Sequence, residues 1–121
     1  MQNLEDHVSP DGRLRFLIFA DRDGDLTLGF DGYSWHTHAD ILASISGLAQ
    51  TVAVRRFVDN LINDRSVIAI LTIPGEIGDA WVTEEPASDA NYPIEGETIE
   101  LRYWSGRPWS EKQPQTVADT G

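Results

Sequence analysis

"RLRFLIFA", Arg13 to Ala20, is a β-rich, largely apolar run, and through "DLTLGFD", Asp25 to Asp31, apolar and polar residues alternate. A period of two is the mark of a half-buried strand, and in the second run it sends Leu26, Leu28 and Phe30 to one face, the side expected to meet the core. "DRDG" joins the two runs, and an Asp-Gly pair between strands of this kind signals a hairpin.

Beyond Asp40 the period lengthens. Ile41, Leu42, Ile45 and Leu48, then Val54, Phe57, Val58, Leu61 and Ile62, recur at three- and four-residue intervals, as on the buried stripe of a helix. The spacing predicts a helix over Gln50 to Asn63 and a helical segment over Asp40 to Ser46. Gly47 permits a break between them, since glycine inside a helix costs about 1 kcal/mol relative to alanine.

"SVIAILTI", Ser66 to Ile73, is continuously apolar and stops at Pro74 and Gly75, as a central strand ended by a turn would. "DAWVTE", Asp79 to Glu84, reads as a shorter strand. After the turn-rich "EPASDANYPIEG", the stretch "ETIELRYW" alternates again. Ile99, Leu101 and Tyr103 are expected to face inward, and Glu100, Arg102 and Trp104 outward.

The order strand, strand, helix, three strands predicts an α+β fold, a mostly antiparallel sheet of about five strands with one main helix packed on one face. Residues 1–12 are read as a flexible N-terminus, 13–109 as a single domain, and 110–121, polar and without period, as a disordered tail.

Composition narrows the function. A chain of 121 residues is one domain's worth, and its 40% apolar content, with four Trp, four Phe and three Tyr, suffices for a packed interior. No apolar run reaches the roughly 20 residues of a membrane helix, and "MQNLEDHVSP" lacks the regions of a signal peptide, so a cytoplasmic protein is expected. With no cysteine there is no disulfide, thiolate metal site or thiol nucleophile.

Twenty acidic residues against nine basic give a formal net charge of −11, a sign that repels nucleic acid and anionic lipid. Between Arg65 and Arg102 there is no Lys or Arg, while Glu76, Asp79, Glu84, Glu85, Asp89, Glu95, Glu97 and Glu100 fall there. That segment is an acidic surface suited to a cationic partner.

Candidate chemistry centres on "GYSWHTHAD", Gly32 to Asp40. Two histidines at i and i+2 of a strand point to one side, and with Asp40 they make a nominal zinc triad. Against a small metal-dependent hydrolase built on His36, His38 and Asp40 stands a structural reading, in which a strand runs into a helix capped by Asp40. A third reading makes Trp35, His36 and His38 part of a binding face.

Asp21, Asp23 and Asp25 match positions one, three and five of a calcium loop, but Leu26 stands where glycine is needed and Gly32 where a bidentate glutamate is needed. No serine lies in a nucleophile elbow, and no glycine-rich phosphate loop is present. Catalytic residues and cofactors are therefore not expected. Trp104 and Trp109 in "RYWSGRPW" are interface candidates, because Trp is enriched at binding hot spots. The final strand offers an edge for self-association.

"LTLGFDGYSWHTHAD", "RRFVDNLINDR" and "IELRYWSGRPW" together resemble small bacterial immunity proteins of polymorphic toxin systems, in which a Gly-Phe strand runs into a His-Thr-His segment and the last strand ends in an aromatic followed by Ser/Thr-Gly. The similarity spans Arg13 to Trp109 and is carried by His36, Thr37, His38, Trp104, Ser105 and Gly106. Ala39 and Asp40 depart from the pattern, where an apolar or aromatic residue and then an acid would follow.

The resemblance implies a non-catalytic protein that neutralises a cognate toxin domain. An acidic chain suits a basic nuclease as that toxin. The expected contact residues are Glu84, Glu85, Asp89, Glu95, Glu97, Trp35, His36, His38, Trp104 and Trp109.

Overall fold

The structure, a computed structural model, describes residues 2–111. Along them run β1 (Gln2–Val8), β2 (Arg15–Ala20), β3 (Leu26–Phe30), β4 (His36–His38), α1 (Ala39–Ser46), α2 (Gln50–Ile62), β5 (Val67–Thr72), β6 (Asp79–Thr83), α3 (Pro86–Asp89) and β7 (Thr98–Arg102). Apart from Ser110 and Glu111, the tail expected over 110–121 lies outside the described residues.

The fold is α+β with antiparallel pairing throughout, but the strands form two sheets, of order β1-β2-β3-β4 and β6-β5-β7, where a single sheet of about five strands was expected. Alternation assigns side chains to faces and carries no information about which strands pair. It also misses β1, which is mostly polar, and β4, which is three residues long.

The N-terminal segment, expected to be flexible, thus contains a strand, and charge secures it more than apolar burial does. Arg15 pairs with Asp6 across the hairpin, while Glu5 accepts a hydrogen bond from Arg55 of α2 at 2.6 Å and lies 2.9 Å from His7. His7 and Arg55 hold the Glu5 carboxyl below its usual range, and Arg15 does the same for Asp6.

Register places Phe16 opposite Phe30 and Ile18 opposite Leu28, so the inner face of the first sheet is an apolar block. Val54, Val58 and Leu61 of α2 pack on it, with Ile68 and Ile70 of β5 and Ala80 of β6 in the same cluster. Phe16 meets Phe30 edge-on at 5.1 Å and Phe57 at 6.0 Å. The helical stripe read over Gln50 to Asn63 is therefore the one that seals this core.

α1 and α2 meet at 90°. Gly47, at φ 76°, ends α1 and donates its N–H to the Ala43 carbonyl, a left-handed C-cap that glycine adopts without steric cost. α1 begins one residue before the expected cap: His38 occupies the cap position without a side-chain hydrogen bond. Asp40 stands instead in the first turn, where its charge complements the helix dipole. Among the described residues no single helix is long and apolar enough to cross a membrane.

β7 reverses an expectation. Of Glu100, Arg102 and Trp104, all expected outward, Glu100 is exposed as expected, whereas Arg102 and Trp104 turn into the protein. Arg102 pairs with Ile68 and Glu100 with Ile70 on the core side of the sheet, Arg102 is fully buried, and Trp104 is 5% exposed within the apolar cluster. The turn between β1 and β2 supplies the counter-charges. Asp11 takes Arg102, and Arg13 makes a two-pronged contact with Glu100 at 2.8 and 3.0 Å.

β6 and β7 flank β5 and run parallel to each other, so residues 84–97 must cross the sheet between them. They do so on the face opposite the core, where Ala69 and Leu71 are buried. Trp81 anchors the crossing by meeting Tyr92 edge-on at 5.6 Å and donating its indole N–H to Asp89 at 3.0 Å. Past β7 the chain turns back, and the Trp109 N–H donates to the Leu101 carbonyl at 2.9 Å. The edge expected to be free for self-association is partly taken by this return.

Candidate functional site

Among the described residues, the hollow on the outer face of the first sheet is lined by strands and loops, with no helix residue. Across β2, β3 and β4 that face carries two rows set by register: Leu17, Gly29 and His36, then Phe19, Thr27 and His38. Small residues occupy the middle strand between bulkier ones on either side. The result is an open hollow of about 420 Å³, closed at one end by the loop from Asp31 to Trp35.

Gly29 is required there. A Cβ on it would stand 2.9 Å from the Trp35 carbonyl oxygen and 3.3 Å from the His36 Cβ, closer than packed atoms tolerate. Trp35 leans back against Phe30 at 6.1 Å, and its N–H donates to Asp79 of β6 at 3.1 Å, which fixes the loop to the second sheet.

His36 is exposed and His38 half-buried, while Thr37 between them turns to the buried face. The imidazole rings lie 5.0 Å apart, nearly perpendicular at 84°. His36 Nδ1 is 3.0 Å from the Ser34 carbonyl, and His38 Nδ1 is 3.3 Å from the Thr27 hydroxyl.

Asp40 does not complete the nominal triad. Its carboxylate accepts the Ile41 N–H at 2.9 Å, and among the described residues the one trio of potential ligands whose donor atoms all lie within 4.8 Å of one another is Asp21, Asp23 and Asp25. That trio closes the β2–β3 turn, with Asp21 accepting the N–H groups of Asp23 and Asp25 at 2.9 and 3.0 Å. Strands flank it on both sides, unlike the helices of a calcium loop.

A second concavity, of about 460 Å³, adjoins the hollow and shares Gly32, Tyr33 and Ser34 with it, its far wall being Ile77 and Gly78. Ile77 is 80% exposed. The sequence reading missed Leu17, Phe19, Tyr33 and Ile77, although the apolar residues on both faces of β2 were a visible signal that its outer side is not plain solvent surface.

The acidic candidates separate. Glu84 and Glu85 follow Thr83, which pairs with Val67, whereas Glu95 and Glu97 precede Thr98, which pairs with Thr72. The two sets therefore lie at opposite ends of β5. Asp89 and Glu97 are half-buried and hold the crossing segment, Glu97 by accepting the Ile94 N–H at 3.2 Å; Glu84, Glu85 and Glu95 are exposed.

The residues at the end of β7 hold structure together. Trp104 is core, the Ser105 hydroxyl donates to Asp64 at 2.6 Å, and Gly106 turns the chain at φ 100°. Trp109 is half-buried. Another concavity, of about 670 Å³, lies on the exposed side of α2 and gathers Arg55, Arg56 and Arg65 in an otherwise acidic chain. Neither a protein-family model, nor a curated protein, nor a solved structure matches this chain.

Proposed function

We propose that this chain is an intracellular immunity-type protein that binds and neutralises a bacterial toxin domain. The observation that carries this reading is the paired concavity around Tyr33. An isoleucine four-fifths exposed borders a loop bearing Tyr33 and Trp35, next to a hollow walled by His36 and His38. Aromatic side chains beside exposed aliphatic surface are what protein interfaces bury, and the tie from Trp35 to Asp79 pre-organises them.

The exposed acids serve a different role in this reading. Glu84, Glu85 and Glu95 steer a basic partner and speed association, while the Tyr33 face slows release. A nuclease, which needs basic surface to hold phosphates, is the toxin class that fits.

The test is co-expression with the C-terminal domain of any large toxin-like protein encoded immediately upstream, scored by cell survival and by isolation of the complex. The wild-type chain is expected to rescue growth, Ile77→Asp to lose rescue while folding normally, and Glu84→Lys with Glu85→Lys to slow association and weaken its salt dependence. An active toxin domain that is neither rescued nor bound would overturn the reading for that pair.

A further inference from the structure

We infer that His36 and His38 form a chelating pair for a divalent transition-metal ion of the zinc or copper class, bound through their Nε2 atoms at the mouth of the outer-sheet hollow. Three observations converge on this pair, and none of them depends on the toxin reading.

The first is tautomer. A carbonyl oxygen can only accept, so the 3.0 Å contact with Ser34 requires the proton on His36 Nδ1, and in the neutral ring that leaves the Nε2 lone pair bare. A ligating histidine is typically held in this way, its other nitrogen donating to a carbonyl that fixes the ring and raises its basicity. The Thr27 hydroxyl, which can accept as well as donate, is placed to do the same for His38.

The second is separation. An ion about 2.0–2.1 Å from each of two imidazole nitrogens in a tetrahedral array sets the ring centres about 5 Å apart. The rings of His36 and His38 are 5.0 Å apart. The strand imposes this, since residues two apart project from the same face and β4 is pinned to β3 at both positions, His36 opposite Gly29 and His38 opposite Thr27.

The third is access. Both rings line an open cavity, His36 is exposed, and the absent side chain at Gly29 keeps space beside it. Water completes the coordination in the free protein, and that open position can accept a ligand atom from outside.

The test uses the full-length chain without an affinity tag and zinc ion alone as the probe, titrated against a competing chromophoric chelator. One ion per chain is expected, with copper(II) bound more tightly than zinc as the Irving–Williams order requires. His36→Asn and His38→Asn are each expected to weaken binding by about tenfold or more, while Asp21→Asn with Asp25→Asn leaves it unchanged.

Histidine-ring ¹H–¹⁵N spectra of the wild-type chain give a readout that needs no substitution. Zinc is expected to shift the Nε2 signals of both rings and leave those of His7 in place. Absence of stoichiometric binding, binding indifferent to both histidine substitutions, binding lost in the aspartate variant, or unmoved ring signals would each overturn the assignment.

Discussion

Asp11 and Arg102, ninety-one residues apart, meet through a 2.6 Å contact between Oδ2 and Nη1, closing the turn after β1 onto the last strand. The guanidinium is almost wholly buried while the carboxylate keeps about a third of its surface exposed. The Tyr103 and Trp104 carbonyls, each 2.9 Å from a guanidinium nitrogen, accept two further hydrogen bonds. A charge that deep is tolerated only when its donors are matched.

Asp11→Ala is therefore expected to destabilise the protein by about 2–3 kcal/mol. That is less than the about 3–5 kcal/mol of a fully buried pair, because water still reaches the aspartate side. Urea unfolding monitored by tryptophan fluorescence measures it. A loss below about 0.5 kcal/mol, the range of ordinary surface substitutions, would mean that the two carbonyls suffice for Arg102.

The same pair sets an acid limb. Arg102 and the Ser9 hydroxyl hold the Asp11 carboxyl well below the usual carboxylate range. A carboxyl depressed in the folded state contributes stability that is complete above its unfolded value, about 3.9, and is lost as pH falls through the folded value. Stability is expected to decline below about pH 5 and to do so less steeply in Asp11→Asn, as equilibrium unfolding at a series of pH values would record. Glu5 and Asp6, also depressed, contribute in the same direction.

Trp104→Ala is expected to cost about 3–5 kcal/mol, the range of large-to-small substitutions of a buried aromatic. Trp109→Ala should cost less, since that side chain is only half-buried. Thermal and denaturant unfolding of the two variants side by side gives the comparison, and equal losses would contradict the inward placement of Trp104.

Gly78→Ala places a Cβ 1.8 Å from the Leu71 carbonyl oxygen, a backbone atom that cannot swing aside. The β5–β6 hairpin must then open locally, and a loss at or above the upper end of about 1–3 kcal/mol is expected. Hydrogen exchange of the β5 and β6 amides would show that the damage begins there.

The β3 strand of the hairpin and the helical stripe of α2 were legible because each rests on a local period that burial on one face enforces, and the central strand β5 because burial on both faces makes it an apolar run closed by a turn. The histidine pair was legible from a local period too, as two residues apart on a strand share a side. The missing third ligand was not, because Asp40 lies in a helix whose first turn draws its carboxylate to a neighbouring backbone N–H. The acidic run looked like one patch in the sequence, yet antiparallel register carries its two ends to opposite ends of β5.

By itself the sequence determined the types of the longer apolar elements, the shared parity of Glu100, Arg102 and Trp104, and the excess of negative charge. Only the tertiary structure decided that Arg102 and Trp104 are buried while Glu100, on the same parity, stays exposed. Periodicity is a property of one strand, whereas inward and outward are defined by what packs against it, here the β1–β2 turn with Asp11 and Arg13. An arginine on an alternating strand reads as solvent-facing until a carboxylate ninety-one residues away neutralises it and allows burial.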